Sequence, residues 1–579
     1  MDLTRAQCCE KAVAAGVELE YFGGRGLGGY LVSSISAKVP PLHPAAGIAL
    51  CTGPLAGTGI PGAARVTLSA KSPLTGTIMD SNSGSALAPL LAMQGLRGIF
   101  IVGRCREPSY LLIEGGKAKV TAAWELWGKP TGAAFDWLRK RHPSAVGMAI
   151  GPAGERGVLF ANVICEDYGA FGRGGLGAVL GSKNLKAVAV CRPGESAAAE
   201  KSGVLRWKER MGELPLLKHG LSGHGTTPLL KLISQLGMLY TSTHAEKAGV
   251  DREMALPEAV SYGCGGCTVS CKRRSKKGNA PLKYQSLWAM GTQAESFSIE
   301  TAQEAGALCD ELGMDVVSAG STLGCARMLE GRGMLEEGLE GIGSAGLVEI
   351  LEKIACREGA WAKLGEGSLR LAAACGNEEM AVVVKGMEVP GFDPRGVPEL
   401  ALSYATSNRG ACHSRGVPPL NAIKDSYGSM GASEIAVRVI EGQDWEAAMD
   451  SLMLCRFVSE AMEKEDVGLL CTAALGRTVT PEDLLPLGAR IWNLERCYNL
   501  AAGIEPSADH LPSAVESTSL QGDELRDLLR EYYRLRGWSK EGRPEAKVLE
   551  RLGLEKRRGV CVGEAAQWGE EDVGKEPDE

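Results

Sequence analysis

The sequence predicts an α+β fold, with a β-rich N-terminal domain followed by two mostly α-helical domains. Residues 1–195 are rich in Gly, Pro and Ser and contain short runs of β-branched residues, such as 98–103 and 187–191. This composition is typical of strands joined by tight turns. After residue 195 the sequence changes to long helical periods, as in 301–312 and 434–440.

The helical part divides at a turn-rich stretch, 390–396 (PGFDPRG), which separates two helical blocks. We therefore expect domains at residues 1–195, 196–389 and 390–579. A chain of 579 residues is long enough to bury several cores without disulfide bonds. Its acidic end, 569–579, is expected to be frayed.

Composition and charge exclude several classes of protein. A net charge of −7 argues against a nucleic-acid-binding protein. The N-terminus has no apolar signal-like segment, and no apolar run reaches the roughly 18 residues of a membrane-spanning helix. We therefore expect a cytoplasmic protein with no nucleic-acid or membrane partner.

Three closely spaced cysteines are the most informative feature of the sequence. Cys264, Cys267 and Cys271 form a C-x2-C-x3-C pattern, and the next histidine downstream is His413. The spacing is typical of three thiolate ligands of a cubane iron–sulfur cluster that takes a distant fourth ligand. A structural zinc site would need another close Cys or His pair. A disulfide is less suited to a long chain with 18 cysteines and no secretory signal.

Two glycine-rich stretches do not fit nucleotide-binding loops. The stretch 23–29 (GGRGLGG) lacks the G-x-G-x-x-G spacing, and 174–183 ends in G-S-K where a P-loop needs G-K-[ST]. Arginines lie among glycines in these regions, and a guanidinium with backbone N–H groups suits phosphate. We expect a large anionic ligand on the β-rich domain, near Arg25, Arg65 and Arg173.

Two motifs in the helical part begin with Asp and end five residues later on another polar side chain. They are 310–315 (DELGMD) and 450–455 (DSLMLC), and each by itself is compatible with a helix cap. Together with the cysteine pattern, they make the sequence resemble the tungsten-containing aldehyde ferredoxin oxidoreductase family. The resemblance covers essentially the whole chain and includes the stretches 23–28, 52–58, 71–76, 80–84, 172–175, 181–186, 404–413, 491–496 and 532–538.

The resemblance implies a fold and a ligand set for the cluster. The β-rich domain would be the base on which a flat bis-pyranopterin cofactor lies, with the two helical domains covering it. Cys455 would be the fourth ligand of a [4Fe–4S] cluster, after Cys264, Cys267 and Cys271. Cys471 competes with it, because 466–471 has the same Asp-to-Cys spacing. The flanking residues favour Cys455, since they keep the family pattern.

The resemblance also implies which residues bind the tungsten or molybdenum bis-pyranopterin. Asp310, Asp315 and Asp450 would form hydrogen bonds to the two pterins, and Arg415 would reach pterin as well. Arg65 would lie between the cluster and a pterin. A magnesium ion linking the pterin phosphates would be held by Asn82 and the backbone at Arg173 and Gly174.

Two positions carry the expected catalytic chemistry. His413 matches the active-site histidine of the family, with a role in proton transfer or substrate orientation. In the family the acidic residue of a Tyr-Glu-[ST] motif lies after the cysteines, whereas this chain has Gln285. Glutamine cannot accept a proton near neutral pH, so Glu295 and Glu388 are alternative bases.

The resemblance implies oxidation of an aldehyde to a carboxylate, with ferredoxin or another iron–sulfur carrier as electron acceptor. A second hypothesis is low-potential reduction of another substrate, as in the tungsten subunits of aromatic-ring reductases, with partner subunits that deliver electrons. A third is a non-catalytic electron-transfer or scaffold protein. We also expect that the chain forms a homodimer or binds additional redox subunits.

Overall fold

The fold is that of a computed structural model, which describes most of the chain. The described residues are 1–193, 207, 209–211, 214, 225–240, 258–265, 267–276, 281–296, 298–335, 339, 346–416, 430–516 and 522–555. Within them, β-sheets dominate before residue 193 and helices dominate after it, so the prediction of an α+β fold with this order is confirmed. The exact domain boundaries stay a prediction.

The first sheet is antiparallel, with the strand order β3-β2-β1-β4. Strand β4 coincides with the predicted run at 98–103. The elements of this region are α1 (Ala15–Tyr21), α2 (Gly24–Val32), β1 (Ile48–Thr52), β2 (Arg65–Lys71), β3 (Ile78–Gly84), α3 (Leu87–Met93) and β4 (Gly98–Ile101).

The second sheet has the order β6-β5-β10-β7-β8-β9, and only β10 and β5 run parallel. Its elements are β5 (Ser109–Glu114), β6 (Lys117–Ala122), α4 (Thr131–Arg141), β7 (Ala145–Ile150), α5 (Pro152–Glu155), β8 (Val163–Cys165), β9 (Ala170–Phe171), α6 (Leu176–Ser182) and β10 (Leu185–Cys191). Every residue of β10 is buried, as its β-branched sequence favours.

One apolar core joins the two sheets. Leu68 from the first sheet, Val188 from the second, and Leu90 and Leu180 from α3 and α6 belong to the same buried cluster. The two sheets therefore form one base with a shared interior, because burial of both inner faces removes their apolar side chains from water.

The middle of the chain has a small three-stranded sheet, β11-β12-β13, and a hairpin, β14-β15, among helices. A short α-turn continues directly into a π-helix, Leu287–Gln293. The elements are α7 (Leu229–Gln235), β11 (Ala259–Tyr262), β12 (Lys272–Ser275), β13 (Pro281–Leu282), α8 (Tyr284–Ser286), α9 (Ile299–Leu312), α10 (Val316–Gly331), α11 (Leu347–Cys356), α12 (Ser368–Ala374), β14 (Val383–Val384) and β15 (Met387–Glu388).

The last part of the described chain is helical. Its elements are α13 (Pro398–Thr406), α14 (Ala432–Leu452), α15 (Arg456–Ser459), α16 (Lys464–Leu475), α17 (Pro481–Ala501), α18 (Ser513–Glu516), α19 (Gly522–Arg536) and α20 (Ala546–Arg551). No helix in the described ranges has the length and apolar composition needed to cross a lipid bilayer.

The first Asp motif, 310–315, is the junction between α9 and α10. Gly313 is the C-cap of α9, and its φ of +71° is a left-handed conformation that favours glycine. Asp315 is the N-cap of α10, and its side chain accepts a hydrogen bond from the Ser318 N–H. The Gly313 carbonyl accepts a hydrogen bond of 2.7 Å from the Asn162 N–H, so the junction lies against the β-rich base.

Glycines also allow the C-terminal end of α14 to approach the β-rich base closely. A Cβ at Gly24 would collide with the Asp450 carbonyl oxygen, and one at Gly53 would collide with the Leu452 carbonyl oxygen. A larger residue at either position would therefore push α14 away. Gly23, Gly24 and Gly26, at the start of α2, lie against the protein's own backbone.

Gly488→Ala is expected to destabilise the chain by about 1–3 kcal/mol, because the added methyl group would collide with the Asp444 carbonyl oxygen where α17 crosses α14. Gly331→Ala is the matched control, since Gly331 is also helical and a Cβ there meets nothing within 4 Å. Thermal unfolding measures both variants. Equal midpoints in the two variants would contradict the close helix crossing.

Candidate functional site

A cavity of about 390 Å³ lies between the β-rich base and the helices that cover it. Its walls come from β2, β3, the segment 170–173, α8, the loop 409–415 and the C-terminal end of α14. Nine residues predicted from the sequence line this one cavity: Arg65, Asn82, Arg173, Gln285, Asp310, Asp315, His413, Arg415 and Asp450. Gly174 is not among the lining residues, and its carbonyl accepts a hydrogen bond of 2.7 Å from Ser72 Oγ.

Asp450 is the meeting point of the cavity's base and cover. It accepts a hydrogen bond of 2.6 Å from Asn82 Nδ2 on β3, and its other carboxylate oxygen lies 2.8 Å from Arg415 Nη1. Arg25 Nη1 lies 3.4 Å from the same carboxylate. The position of Asp450 is therefore fixed from three directions.

Arg25, which we expected near an anionic ligand, does not line the cavity. Its side chain is buried and forms two hydrogen bonds to Glu495, of 2.7 and 2.8 Å. It also lies 3.6 Å from Asp80. Its charge is thus used inside the protein, where it holds carboxylates of β3, α14 and α17 together.

The first Asp motif contributes two carboxylates that are already paired with cations. Asp310 lies 2.6 Å from Lys283 Nζ. Burial raises the pKa of Asp310 above its usual value, although Lys283 opposes the shift. Asp315 accepts a hydrogen bond of 3.1 Å from the Arg173 N–H, and Arg173 Nε lies 3.5 Å from its other oxygen.

Gln285 and His413 are hydrogen-bonded to each other in the cavity, with 3.2 Å between the Gln285 Nε2 and His413 Nε2 atoms. Gln285 lies in α8, immediately before the π-helix, a distortion that is frequent at functional sites. The His413 ring stacks on Phe392, with centroids 4.8 Å apart. Burial, followed by the charges of Arg456 and Arg173, lowers the pKa of His413 to about 3.

Glu295 and Glu388, the alternative bases suggested by the sequence, are absent from the described lining of the cavity. Glu388 is 1% exposed and accepts hydrogen bonds from Ser318 and Ser368. Glu295 lies 3.9 Å from Arg327. Neither carboxylate is therefore placed to act as a base in this cavity.

Cys412 is a cavity residue that the sequence reasoning missed. Its sulfur accepts hydrogen bonds of 2.7 Å from Arg409 Nη2 and 3.4 Å from the Ser414 N–H. Although burial alone would raise the pKa of this thiol, the guanidinium groups of Arg409 and Arg415 lower it to about 7. In the sequence, Cys412 stands between Arg409 and Arg415. This spacing alone does not predict that the three side chains meet.

Several buried polar atoms in the cavity wall have no hydrogen-bond partner among the described residues. Such atoms are rare in proteins and indicate a missing ligand or water. The guanidinium N–H groups of the set suit phosphate, and its amide oxygens suit the N–H groups of a pterin. The atoms are Asn82 Oδ1, Asn162 Oδ1, Arg173 Nε, Gln285 Oε1, Arg409 Nε, His413 Nδ1 and Arg415 Nε.

The loop between β11 and β12 carries the three clustered cysteines. The Cys267 N–H donates a hydrogen bond of 2.8 Å to the Cys264 carbonyl. A Cβ at Gly263 would collide with the Cys267 carbonyl, so this turn requires glycine. A Cβ at Gly84, on β3, would collide with Cys264 Sγ and lie 3.6 Å from Arg65 Nη1. The cysteine loop is therefore adjacent to the cavity wall.

Cys455 belongs with these three cysteines, and Cys471 does not. Cys455 precedes α15, and its N–H donates a hydrogen bond of 2.9 Å to the Gly62 carbonyl. Burial, followed by the negative charge of Cys455 and Cys264, raises the pKa of Cys271 to about 12. Cys471 lies fully buried in α16, within an apolar core.

Close thiols that repel one another's charge suit a thiophilic metal or cluster, because metal binding takes up thiolates and releases their protons. In the described ranges, no three His, Cys, Asp or Glu side chains converge as they would on one metal ion. The identity of the site as a [4Fe–4S] cluster stays a prediction.

Comparison with known families accounts for almost the whole described chain. Residues 1–192 match the model of the N-terminal domain of aldehyde ferredoxin oxidoreductase, and residues 204–554 match that of its domains 2 and 3. The chain belongs to the aldehyde ferredoxin oxidoreductase family. It is therefore an oxidoreductase of a family that implies a tungsten–pterin cofactor and a ferredoxin-type electron carrier.

Relatives of known name match more than nine-tenths of the chain. The tungsten-containing aldehyde ferredoxin oxidoreductase of Pyrococcus furiosus is 35% identical, covering 92% of this chain and 94% of the relative. The enzyme of the same name from Thermococcus kodakarensis is 33% identical with the same coverage. The WOR-like subunit of an aliphatic sulfonate oxidoreductase from Pyrococcus furiosus is 28% identical over 96% of both chains.

A solved structure shares the fold. The active-site complex BamBC of benzoyl coenzyme A reductase, bound to 1,5-dienoyl-CoA, matches with a TM-score of 0.84. The match covers 97% of this chain and 96% of that chain at 22% identity. The common fold therefore occurs in proteins with different named substrates.

Cys455→Ala is expected to abolish the low-temperature EPR signal of a reduced cubane, because Cys455 is the distant cysteine next to the 264–271 loop. Cys471→Ala is the control and should keep the signal, although the lost packing lowers stability. Iron content should also be lower in Cys455→Ala than in Cys471→Ala. Loss of the signal in Cys471→Ala alone would transfer the ligand role to Cys471.

Proposed function

We propose that this chain is a tungsten- or molybdenum-pterin, iron–sulfur enzyme that oxidises an aldehyde to a carboxylate and passes the electrons to ferredoxin. The observation that carries the proposal is that His413 lines the same cavity as all three predicted pterin-binding aspartates. Identity of 35% to the aldehyde ferredoxin oxidoreductase of Pyrococcus furiosus supports the same reaction class.

The cavity residues divide into groups by the part of the cofactor that each would hold. Asp310, Asp315 and Asp450 would accept hydrogen bonds from pterin N–H groups. Such charge-assisted bonds contribute about 1.5–3 kcal/mol each. Arg415 would bind pterin, and Asn82 with the backbone at Arg173 and Gly174 would hold the magnesium ion. Arg65, near both Cys264 and Asn82, would lie between pterin and cluster.

When bound, the cofactor supplies a two-electron oxidant, and the cluster permits one-electron transfer to the carrier. His413 is neutral near pH 7, because its pKa is about 3. As oriented in the structure, the Gln285 amide N–H donates to His413 Nε2, so the imidazole proton lies on Nδ1. Nδ1 has no described partner and can donate a hydrogen bond to a substrate carbonyl oxygen.

Low-potential reduction of another substrate is the second candidate. The observation that favours it is Gln285, which removes the carboxylate of the aldehyde enzymes from the cavity. Two similar proteins support additional redox subunits in this case. One is named as a subunit of an aliphatic sulfonate oxidoreductase, and the other as an active-site complex of benzoyl coenzyme A reductase. A scaffold role is disfavoured, because a scaffold has no use for a cavity lined by unpartnered polar atoms.

The proposal is tested with anaerobically purified protein. We expect about four iron atoms and one tungsten or molybdenum atom per chain, as the four thiolates and two Asp motifs imply. Aldehydes of several sizes are then assayed with a viologen dye as electron acceptor. Full metal content without turnover of any aldehyde, together with co-purifying iron–sulfur or flavin subunits, would favour the second candidate. Stoichiometric zinc without iron would reject both.

His413→Ala is expected to lower aldehyde turnover by about 10²–10³-fold, the usual effect of removing one donor to a developing oxyanion, with metal content unchanged. In Gln285→Glu the new carboxylate should raise the pKa of His413 above 3, because it stabilises the imidazolium. NMR titration of the imidazole measures this shift. Gln285→Met, which carries no charge, is the control. Unchanged turnover in His413→Ala would remove this residue from the mechanism.

A further inference from the structure

The cavity contains four carboxylates, and each one is already held by a cation. Asp310 is paired with Lys283 at 2.6 Å, and Asp450 with Arg415 at 2.8 Å. Proton uptake by a paired carboxylate breaks a charge-assisted interaction, which opposes protonation.

The remaining two carboxylates, Asp315 and Glu446, also have hydrogen-bond or ion-pair partners. Both oxygens of Asp315 accept hydrogen bonds from backbone N–H groups. Glu446 accepts a hydrogen bond of 2.7 Å from the Gly416 N–H and lies 3.1 Å from Arg456. Burial raises the pKa of Glu446, whereas Arg456 and the Gly416 N–H oppose the shift, because a proton on either oxygen would compete with one of these partners.

The Cys412 sulfur also accepts a hydrogen bond from a cation, Arg409, but a thiolate is a stronger base near neutral pH than an ordinary carboxylate. It lines the cavity next to His413 and is only 3% exposed over the whole residue. Arg409 and Arg415 are at least nine-tenths buried, and the Nε atom of each has no described partner. These atoms mark the cavity around the sulfur as a place built for a ligand.

We propose that the Cys412 thiolate is the proton acceptor for substrate oxidation in this cavity, where Gln285 replaces the acidic residue of related enzymes. The inference rests on the proposed aldehyde oxidation. An aldehyde and one water yield a carboxylate, two electrons and three protons. The two electrons leave to the metal–pterin cofactor and then to the carrier. Cys412 takes one of the three protons from the hydrated aldehyde, forms an S–H bond, and later returns that proton to solvent, and the other two protons also leave to solvent.

The charges that face Cys412 come from several elements. Arg409 and Arg415, on its own loop, favour the thiolate. On β3, the Asp80 carboxylate accepts a hydrogen bond from Arg415, and the Asp80 backbone carbonyl accepts one from Arg409. Arg456 on α15 also interacts electrostatically with the thiolate, and Tyr404 on α13 lies near it. An anionic cofactor would share the arginines, so the thiol should titrate at higher pH in loaded enzyme than in cofactor-free chain.

The first test measures the thiol itself, without turnover. The full chain is prepared without tungsten or molybdenum, and the ultraviolet absorbance of thiolate is followed against pH. The difference between the wild-type chain and Cys412→Ser should show one inflection near pH 7. Cys471→Ser is the control, because burial raises the pKa of Cys471 to about 12. An inflection for Cys412 at or above the usual thiol value would overturn the proposal.

The second test uses the metal-loaded enzyme with its best aldehyde. The rate should fall as pH drops through the pKa of Cys412, because the protonated thiol cannot accept a proton. Cys412→Ser should lose this acidic limb and about 10²–10⁴-fold of turnover, with unchanged iron and tungsten. Cys412→Asp should restore part of the rate, with the limb moved to lower pH.

The two proposals fail in different ways. A wild-type enzyme that turns over no aldehyde rejects the proposed function and the proton role with it. An active wild-type enzyme whose pH–rate profile is the same in Cys412→Ser rejects only the proton role. A purely structural Cys412 would change stability and metal content and would leave the acidic limb in place.

Discussion

Close backbone contact between the β-rich base and the end of α14 is the constraint on which the site depends. A Cβ at Gly24 would collide with the Asp450 carbonyl, so no other residue type allows this approach. Because of it, the Asp450 carboxylate reaches Asn82 at 2.6 Å, and the Cys455 N–H reaches Gly62 at 2.9 Å. A single contact thus positions a predicted pterin-binding residue and a predicted cluster ligand.

A buried network of charges fixes the position of the β-rich base relative to the helices that cover it. Arg25 joins Glu495 on α17 to Asp80 on β3, and Asp80 in turn pairs with Arg415. Buried ion pairs add little net stability, since desolvation offsets their attraction, but removal of one partner is strongly unfavourable. The network therefore fixes where the cavity's charges lie, including the arginines that act on Cys412 and His413.

The sequence predicted the fold class, and nine of the residues selected through the family resemblance line one cavity, because short motifs carry that information locally. Cysteine spacing pointed to the 264–271 loop, and the DELGMD motif indicated the α9–α10 junction. The sequence could not show which residues from distant parts of the chain contact one another. Arg25 forms hydrogen bonds to the buried Glu495 and does not line the cavity. The pKa of Cys412 is lowered only because folding places Arg409 and Arg415 beside its sulfur. Such contacts depend on tertiary packing, which no local pattern encodes.

The cavity walls come from distant parts of the sequence, and this affects the order in which the chain folds. Asn82 and Asp450 meet across most of the chain, and contacts so distant in sequence form late, because closure of long loops costs entropy. During synthesis, the β-rich base emerges from the ribosome long before its cover. The binding site thus does not exist until the last third of the chain has docked, and cofactor insertion becomes part of the final stage of protein maturation.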